Sequence, residues 1–492
     1  MTALLPLVFA IPLLAALLVA LSGSRLLGRV LGLATPAAVA TVGVMLTVAT
    51  SGGEVIAAQV GGWPAGLGIP FAADLLSAML LVVSGVLVFA SMTFAFASDQ
   101  DRNRWFVPLA LVMTAGVYGA YLTADLFNLF VMVEVALLPS YVLMTRRGGP
   151  LALRATRLYL AINLTASTIF LAGLGAVYGV TGTVNVAALA DQGGVPIVAV
   201  AVGVILIALS MKAAVVPVHT WLPATYPYAS PAVTALFSGL LTKVGVYTLI
   251  RVLSVVYEPG PTVTLVVVAV TGTSMVIGVL GALGEGSIRG VLSFHMVSQV
   301  GYILVGLVLA GPIGMAAAVF YLVHHTVVKT SLFLTGGVVE QQHGTGRIAR
   351  LGGVASQHRL VAVAFLFAAL SLTGLPPFSG FWAKFGVLDA AVDAGNYLVF
   401  WLALLVSVGT LVSMLKVGSG VFWGKAPGVG ASAGSAPRGQ GPWQPGLVLP
   451  GLVLAGVSLA IGIFPGPLLE LAATAGAGLS DPSTYVEAVL GR

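Results

Sequence analysis

Five ionisable side chains lie inside apolar stretches long enough to cross a membrane: Glu134, Lys212, Lys243, Lys329 and Lys384. A charge near the centre of a bilayer costs about 3 kcal/mol or more, so such residues usually face a wet interior and belong to an ion or proton path. Desolvation disfavours the lysine ammonium, whereas water or a nearby carboxylate restores it. Five such residues on different helices therefore indicate a conduit for ions or protons.

Glu134 lies in the middle of the segment DLFNLFVMVEVALLPSYVLM. A lone carboxyl group in a membrane can be a protonated, hydrogen-bonded packing residue. The interpretation we favour is an ion pair with Lys212 that controls when this lysine releases its proton. For Lys212 and Lys243 the competing interpretation is a static salt bridge between helices. The depth of Lys384 is open, because simple counting puts it at the membrane surface, where a lysine is unremarkable.

Histidines and two further lysines can extend this polar line. Histidine titrates near neutral pH, which suits a relay, although a single buried histidine is more often a hydrogen-bonded structural group. The adjacent His324 and His325 point to different helix faces and form a poor metal pair, whereas His325 and Lys329 share one face. The candidate relay residues are His219, His295, His324, His325, Lys329 and, as a secondary candidate near the cytoplasmic end of its helix, Lys416.

The elements that must position these residues are membrane helices. The chain is 59% hydrophobic and 7% charged, and apolar runs of about 20 residues, enough to span a bilayer, recur from end to end. The first run has no Lys or Arg before it and is predicted to be a retained helix. The sequence predicts an all-α polytopic membrane protein with about fourteen transmembrane helices: 4–22, 30–50, 73–97, 105–123, 125–145, 157–180, 196–219, 231–256, 262–283, 288–310, 314–339, 360–382, 397–422 and 446–465.

The basic residues lie mostly in alternate loops, and this asymmetry predicts orientation. The loops after the odd-numbered helices contain most of the Lys and Arg residues, whereas the opposite loops hold little beyond Arg251 and Arg492. The basic side is predicted to be cytoplasmic, with both termini outside. The residues on that side are Arg25, Arg29, Arg102, Arg104, Arg146, Arg147, Arg154, Arg157, Arg289, Arg347, Arg350, Arg359, Lys425 and Arg438.

Two segments read as interrupted helices. In residues 211–223, Pro217 follows Lys212 within two turns, and in residues 371–385 Pro376 and Pro377 precede Lys384. Proline breaks a helix, and paired broken helices mark ion sites in transporters built from repeats. The two segments belong to helices 7 and 12, and an offset of five reverses direction in the membrane. Helices 4–8 and 9–13 are therefore predicted to be inverted five-helix repeats.

We expect a single membrane domain over residues 1–492. Its parts are the N-terminal helices 1–3 (1–104), the first repeat (105–256), the second repeat (262–424), a flexible cytoplasmic linker rich in Gly, Ala, Pro and Ser (425–445), and the last helix with an external tail (446–492).

Composition excludes several function classes. The chain has no cysteine, which removes disulfides, thiolate metal sites and cysteine-ligated iron–sulfur clusters. No phosphate loop of P-loop spacing is present, and the net charge of +6 follows from the loop asymmetry rather than from nucleic-acid binding. We expect no metal, no cofactor and no redox chemistry in this chain.

The segments KAAVVPVHTWLP (212–223) and PPFSGFWAKF (376–385), with the helix from Pro231 that carries Lys243 before GVY, resemble the antiporter-like family. This family includes the proton-pumping membrane subunits of respiratory complex I and the large subunits of Mrp-type multisubunit cation/proton antiporters. The resemblance covers nearly the whole chain, and the length and the PPFSGFWAK segment look most like the D-type subunits of the Mrp branch.

The resemblance implies that Glu134, Lys212, Lys243 and Lys384 form the proton path. It also implies fourteen helices, inverted five-helix repeats and both termini outside, in the plasma membrane of a bacterium. The implied function is proton conduction within a Na+/H+ antiporter, with other membrane subunits as partners and with protons and Na+ as the transported ions. Two alternatives remain: a pumping subunit of a complex I-like NADH-quinone oxidoreductase or membrane hydrogenase, and a scaffold whose lysines only lock helices together.

Overall fold

The computed structural model of the protein describes residues 1–63, 68–309, 311–425 and 444–492. Within these ranges the chain forms α-helices and one antiparallel hairpin, β1 (Ile56–Gln59) with β2 (Pro70–Ala73). The helices are α1 (Leu4–Ser22), α2 (Arg25–Ala49), α3 (Leu75–Ala97), α4 (Phe106–Leu122), α5 (Leu126–Thr145), α6 (Pro150–Thr181), α7 (Pro196–Lys212), α8 (Trp221–Thr225), α9 (Pro231–Arg251), α10 (Pro261–Gly284), α11 (Ile288–Gly306), α12 (Gly311–His343), α13 (Val354–Gln357), α14 (Arg359–Thr373), α15 (Ser379–Asp393), α16 (Tyr397–Val417), α17 (Pro445–Ile463), α18 (Gly466–Ser480) and α19 (Ser483–Leu490).

The helices agree closely with the predicted spans. In the described ranges, eleven are long and apolar enough to cross a membrane. Three further apolar helices, α4, α7 and α14, are shorter. Two of these, α7 and α14, are the first halves of the predicted broken helices, so their spans are completed by the segments after each break. The all-α polytopic fold class is confirmed.

Two differences from the sequence prediction concern the C-terminal part. The predicted span 360–382 was wrong at its end, because α15 continues to Asp393 and places Lys384 within a helix. The residues after α17 are not only a tail, since α18 packs against α12 and α3. Of the predicted linker 425–445, residues 426–443 lie outside the described residues.

The first break follows from the loss of helical hydrogen bonds at Pro217, which has no backbone N–H. α7 ends at Lys212, and the chain resumes as α8 after a short turn. The Trp221 indole donates to the carbonyl of Met211 at 2.9 Å, so one carbonyl freed by the break regains a partner inside the protein. Buried backbone groups at a break need such partners.

The second break separates α14 from α15 at Pro376 and Pro377. Gly374 has a φ of 88°, a left-handed conformation that glycine adopts without steric cost. A Cβ on Gly374 would also approach Lys384 Cδ to 2.7 Å. The backbone angle therefore favours glycine at this position, and the missing side chain also leaves room for that of Lys384.

α12 is the central helix of the second half. It packs against α3, α9, α11, α14, α15, α17 and α18, and it is buried almost continuously from Met315 to Val339. A helix surrounded on all sides has no lipid-facing stripe, so its polar residues, His324, His325 and Lys329, are buried whichever face they occupy.

The two halves share a local hydrogen-bond pattern. The amide of Leu126 donates to the carbonyl of Val184 and the amide of Val186 to that of Ala124; the same pairs recur 162 residues later, from Ile288 to Gly346 and from Ile348 to Gly286. In both halves these bonds join the start of one helix to the loop after the next helix. The equivalence supports the predicted pair of repeats.

Candidate functional site

Glu134 and Lys212 meet through a serine. Lys212 Nζ lies 3.9 Å from Glu134 Oε1 and donates to Ser167 Oγ at 2.9 Å. Ser167 in turn donates to Glu134 Oε1. The three groups come from α7, α6 and α5, and the hydroxyl both accepts from the ammonium and donates to the carboxylate. The predicted contact between Glu134 and Lys212 is therefore present, with a bridge that the sequence analysis missed.

Lys212 sits at the last residue of α7. A cation is stabilised there because helix carbonyls at a C-terminus carry partial negative charge. A small cavity of about 20 Å³ beside it is lined by Tyr159, Asn163, Trp221 and Thr248, among others. A water needs about 10–15 Å³ and polar partners, and this cavity offers both.

α9 brings Lys243 close to the first break. A Cβ on Gly245 would lie 2.9 Å from the amide of Ala213, so the missing side chain lets α9 touch the end of α7. Lys243 is 1% exposed, and its Nζ donates to the carbonyl of Ser238 at 2.6 Å. Both lysines are thus held in the interior of the protein, away from lipid.

His325 stands between two lysines on the polar line. It is fully buried, and neither ring nitrogen has a hydrogen-bond partner among the described residues. Lys243 and Lys329 both act on it electrostatically, as do His324 and His295. Buried polar atoms are usually paired with protein or water, so the two unpaired ring nitrogens of His325 can both form hydrogen bonds with water.

Lys329 and His295 continue the line towards α11 and α16. Lys329 Nζ donates to the carbonyl of Leu292 at 2.8 Å. His295 Nε2 lies 2.6 Å from Ser413 Oγ, and its Nδ1 has no partner among the described residues. The charges of Lys329, Lys384 and Lys416 all act on His295.

Lys384 is buried in the second half and is 5% exposed, so the depth that sequence counting left open lies inside the protein. Its Nζ donates to the carbonyl of Thr373 at 3.0 Å and stands 5.2 Å from the ring centre of Tyr302. Among the described residues it has no carboxylate partner.

His324 is hydrogen-bonded to the second break, with Nδ1 2.8 Å from Ser379 Oγ. Its neighbour His325 does not share this contact, as expected for adjacent residues on a helix. The two histidines thus have separate environments, one at the break and one between the lysines.

The remaining two relay candidates lie at the edges. Lys416 Nζ donates to the carbonyls of Ala282, Leu283 and Glu285, which caps the C-terminus of α10 in the usual manner of a lysine near unpaired carbonyls. His219 lines a surface pocket of about 720 Å³ with Arg154. These contacts favour a structural role for Lys416 and a position near solvent for His219.

No group of three or more His, Asp or Glu residues suited to a metal ion occurs in the part of the chain that the structure describes. The sequence analysis also missed the serines that contact the candidate residues: Ser167, Ser379 and Ser413. Serines are common in apolar helices, where their hydroxyls often bond to their own backbone, so nothing in the sequence sets these three apart.

A sequence model of the family described as "NADH:quinone oxidoreductase/Mrp antiporter, TM" matches residues 123–413. The matched segment contains Glu134 and all four membrane lysines. The chain belongs to this family. The family predicted from the sequence is confirmed, and the protein is an integral, multi-pass membrane protein.

Similar proteins extend the match to the whole chain. The D-type subunit of the Na(+)/H(+) antiporter of Alkalihalophilus pseudofirmus is 35% identical over 443 residues, 88% of each sequence. A chain in the structure of the Mrp complex from Dietzia sp. DQ12-45-1b is 43% identical, with a TM-score of 0.94 and full coverage of both chains. A chain of respiratory complex I from Thermus thermophilus is 25% identical, with a TM-score of 0.77, and covers 95% of this chain and 99% of that one.

Proposed function

We propose that this chain is the proton-conducting membrane subunit of a multisubunit Na+/H+ antiporter. The observation that carries the proposal is the contact of Glu134 and Lys212 through Ser167, a partly buried acid and a buried base held within reach of each other at a helix break. The likeness to the antiporter protein of A. pseudofirmus and to the Mrp complex of Dietzia supports the same function.

Glu134 and Ser167 hold Lys212 in its ammonium form. When the pair separates, the ammonium loses its counter-charge, and its proton passes to the neutral amine of Lys243. Each further step moves one proton from an ammonium or imidazolium to a neutral amine or imidazole, so charge is conserved along the line. Water between the groups carries the transfers that direct contacts do not span.

His325, Lys329 and His295 connect Lys243 to the second half, and Lys384 passes the proton to the opposite side. The unpaired nitrogens of His325 and His295 support this order, since each can accept a hydrogen bond from water without losing one from the protein. We assign the proton path to Glu134, Lys212, Lys243 and Lys384. His325, Lys329 and His295 lie between them on this path.

We further propose that the protein acts in the plasma membrane of a bacterium, with both termini outside and with other membrane subunits as partners. The basic loops on one side support the orientation, because cytoplasmic loops carry an excess of Lys and Arg. Partner subunits are needed because a proton line alone does not explain how Na+ is exchanged.

The competing function is proton pumping in a complex I-like assembly driven by redox chemistry. The family model covers both classes, but identity to the Dietzia Mrp chain is 43% and to the complex I chain 25%. Antiport is therefore the better supported function. Co-purification of flavin or iron–sulfur subunits with this chain would favour the competing one.

Sodium-dependent proton movement in vesicles containing the purified native assembly tests the proposal. We expect Lys212→Ala and Glu134→Ala to abolish exchange at equal assembly. The matched control is Lys425→Ala, which removes an exposed lysine outside the helices and should leave exchange unchanged. Intact exchange in the Lys212→Ala assembly, with lowered stability, would instead identify the lysines as structural braces.

A further inference from the structure

A cluster of four buried polar side chains lies at the second break. Ser379 Oγ lies 2.8 Å from His324 Nδ1 and 2.9 Å from Ser458 Oγ. Ser458 Oγ is also 2.6 Å from Ser371 Oγ, which is 3.3 Å from Ser379 Oγ. All three serines are fully buried. The three hydroxyls come from α14, α15 and α17, so the cluster joins both sides of the break to the last long helix.

α17 reaches the break through one face. Gly451, Ser458 and Gly462 are spaced so that they lie along the same side of the helix. A Cβ on Gly462 would lie 2.0 Å from the carbonyl oxygen of Pro377, and the carbonyl of Gly462 accepts the Trp382 indole at 2.9 Å. The backbone of α17 therefore touches the break directly, and this contact places the Ser458 hydroxyl beside Ser371 and Ser379.

Packing alone does not explain a hydroxyl at position 458. A small apolar residue would fill the same space, whereas a buried hydroxyl is costly unless it is hydrogen-bonded. Ser458 bonds to two other serines, and the chain of hydroxyls ends on a ring nitrogen. Each hydroxyl has one proton to donate, so the direction of every bond depends on whether His324 Nδ1 carries a proton.

The titratable groups around His324 are few. Lys384 on α15 acts on it electrostatically. Its own helix contributes Tyr321, whose ring contacts the imidazole edge-to-face, and the adjacent His325. From α11, Tyr302 stacks on Tyr321. α17 contains no titratable residue, and α14 carries only Arg359, at its other end.

We propose that Ser458 of α17 is a positioning residue for proton transfer at the second break. Through Ser379 it fixes which nitrogen of His324 carries the proton and thereby the electrostatic environment of Lys384. The last long helix is then part of the transport machinery and not only a peripheral span. This inference rests on the proposed function, since it concerns transfer along the same proton line.

The test compares two serines that both link α17 to the interior. Ser458→Ala removes the hydroxyl from the cluster. The control Ser331→Ala removes another buried hydrogen bond to α17, from Ser331 Oγ to the carbonyl of Gly451 at 2.7 Å, away from His324. Each variant loses one buried hydroxyl at the contact between α17 and the interior, Ser458 from α17 itself and Ser331 from α12, so the two should cost similar stability.

We expect Ser458→Ala to move the pH midpoint of exchange by about 0.5 to 1 unit. This shift corresponds to the free energy of one hydrogen bond that stabilises only one of the two protonation states. Ser331→Ala should keep the wild-type midpoint. An unchanged midpoint in Ser458→Ala, or an equal shift in Ser331→Ala, would overturn the inference. If Ser458→Ala does not assemble, Ser371→Ala on α14 is judged by the same criterion.

Lys212→Ala in the same vesicles keeps the two proposals apart. Loss of exchange in this variant together with an unchanged midpoint in Ser458→Ala would reject only the role of Ser458. Retained exchange in Lys212→Ala would reject the proton line itself, whatever Ser458→Ala does.

Discussion

The two helix breaks differ in the groups that face the buried lysine and in the groups that satisfy the carbonyl freed by the break. At the first break, Lys212 faces a carboxylate through Ser167, and an indole satisfies the freed carbonyl of Met211. At the second break, Lys384 itself satisfies the freed carbonyl of Thr373. The first lysine has a counter-charge, and the second has only neutral oxygen and the face of a tyrosine ring.

This difference indicates separate tasks. A counter-charge lowers the free energy of the ammonium strongly, whereas a single carbonyl lowers it less. Separating Glu134 from Lys212 therefore changes the proton affinity of the first lysine by a large step. Within the described residues Lys384 has no carboxylate from which it could separate, and we propose that hydration and the His324 cluster decide its charge instead.

A side chain added between α14 and α15 at the second break should have the greatest effect of all. In Gly380→Ala the new Cβ would lie 1.6 Å from the carbonyl oxygen of Ser371, so α14 and α15 cannot keep their contact. We expect a loss of about 3 kcal/mol or more and little assembled complex. The control Gly203→Ala lies in α7 with nothing within 4 Å of its Cβ and should be neutral. Equal thermal stability of the two variants would contradict the geometry of this break.

Glu134→Gln makes the first break resemble the second, because Lys212 then faces only neutral groups. We expect exchange at neutral pH to fall about ten-fold or more, as for the loss of one opposite charge, while assembly is kept. The measurement is sodium-dependent proton movement, normalised to the amount of complex. If Glu134→Gln exchanged at the wild-type rate, the carboxylate of Glu134 would not be the functional difference between the two breaks.

Ser167→Ala isolates the contribution of the bridging hydroxyl, because it removes the bridge and keeps both charges. We expect a three- to ten-fold lower rate, about the value of one hydrogen bond to a charged group, and recovery in Ser167→Thr. Thr168→Ala is the matched control, since among the described residues this exposed hydroxyl on the same helix bonds only to the carbonyl of Leu164. A loss of rate in Thr168→Ala equal to that in Ser167→Ala would assign the effect to α6 as a whole.

The smallest effect is expected outside both breaks, at Asp101. Burial raises the pKa of this carboxyl, but hydrogen bonds from Arg25 and Arg29 outweigh it and lower the pKa from 3.8 to about 2. A lowered carboxyl pKa stabilises the fold above the unfolded value, and this stability is lost as the pH falls through the folded value.

Asp101→Asn should therefore lower the melting temperature by about 2 °C at neutral pH. The deficit should shrink between about pH 4 and pH 2, with no change in the pH midpoint of exchange. A deficit that persists at pH 2, seen by thermal unfolding, would refute the ion pairing.

Much of the architecture could be predicted from the sequence. α1 has the predicted bounds, and α3, α4 and α5 begin and end within two residues of theirs. α15 was placed less well, because the pattern of the segment was read as one span with a break near its end. Proline identifies where a helix is interrupted, but it does not tell how far the chain continues beyond the interruption.

The charged residues of the candidate site could be predicted from the sequence, but most of their hydrogen-bond partners could not. The partnership of Glu134 and Lys212 was expected, but Ser167 was not, because a serine on a neighbouring helix looks like any other. Lys416 was a relay candidate, yet it caps α10, since its contacts depend on where the end of another helix lies.

Hydropathy and the positions of the prolines and charged residues were enough to predict the membrane-spanning segments, their breaks and the charges within them. Membrane insertion depends on the summed hydropathy of neighbouring residues and on hydrogen bonds within each helix, and both are local properties. The oxygen that faces each lysine, and the contact of Ser458 with the second break, could be identified only from the folded chain. Those contacts join residues far apart in the chain, and helix packing, which a linear pattern does not encode, fixes them.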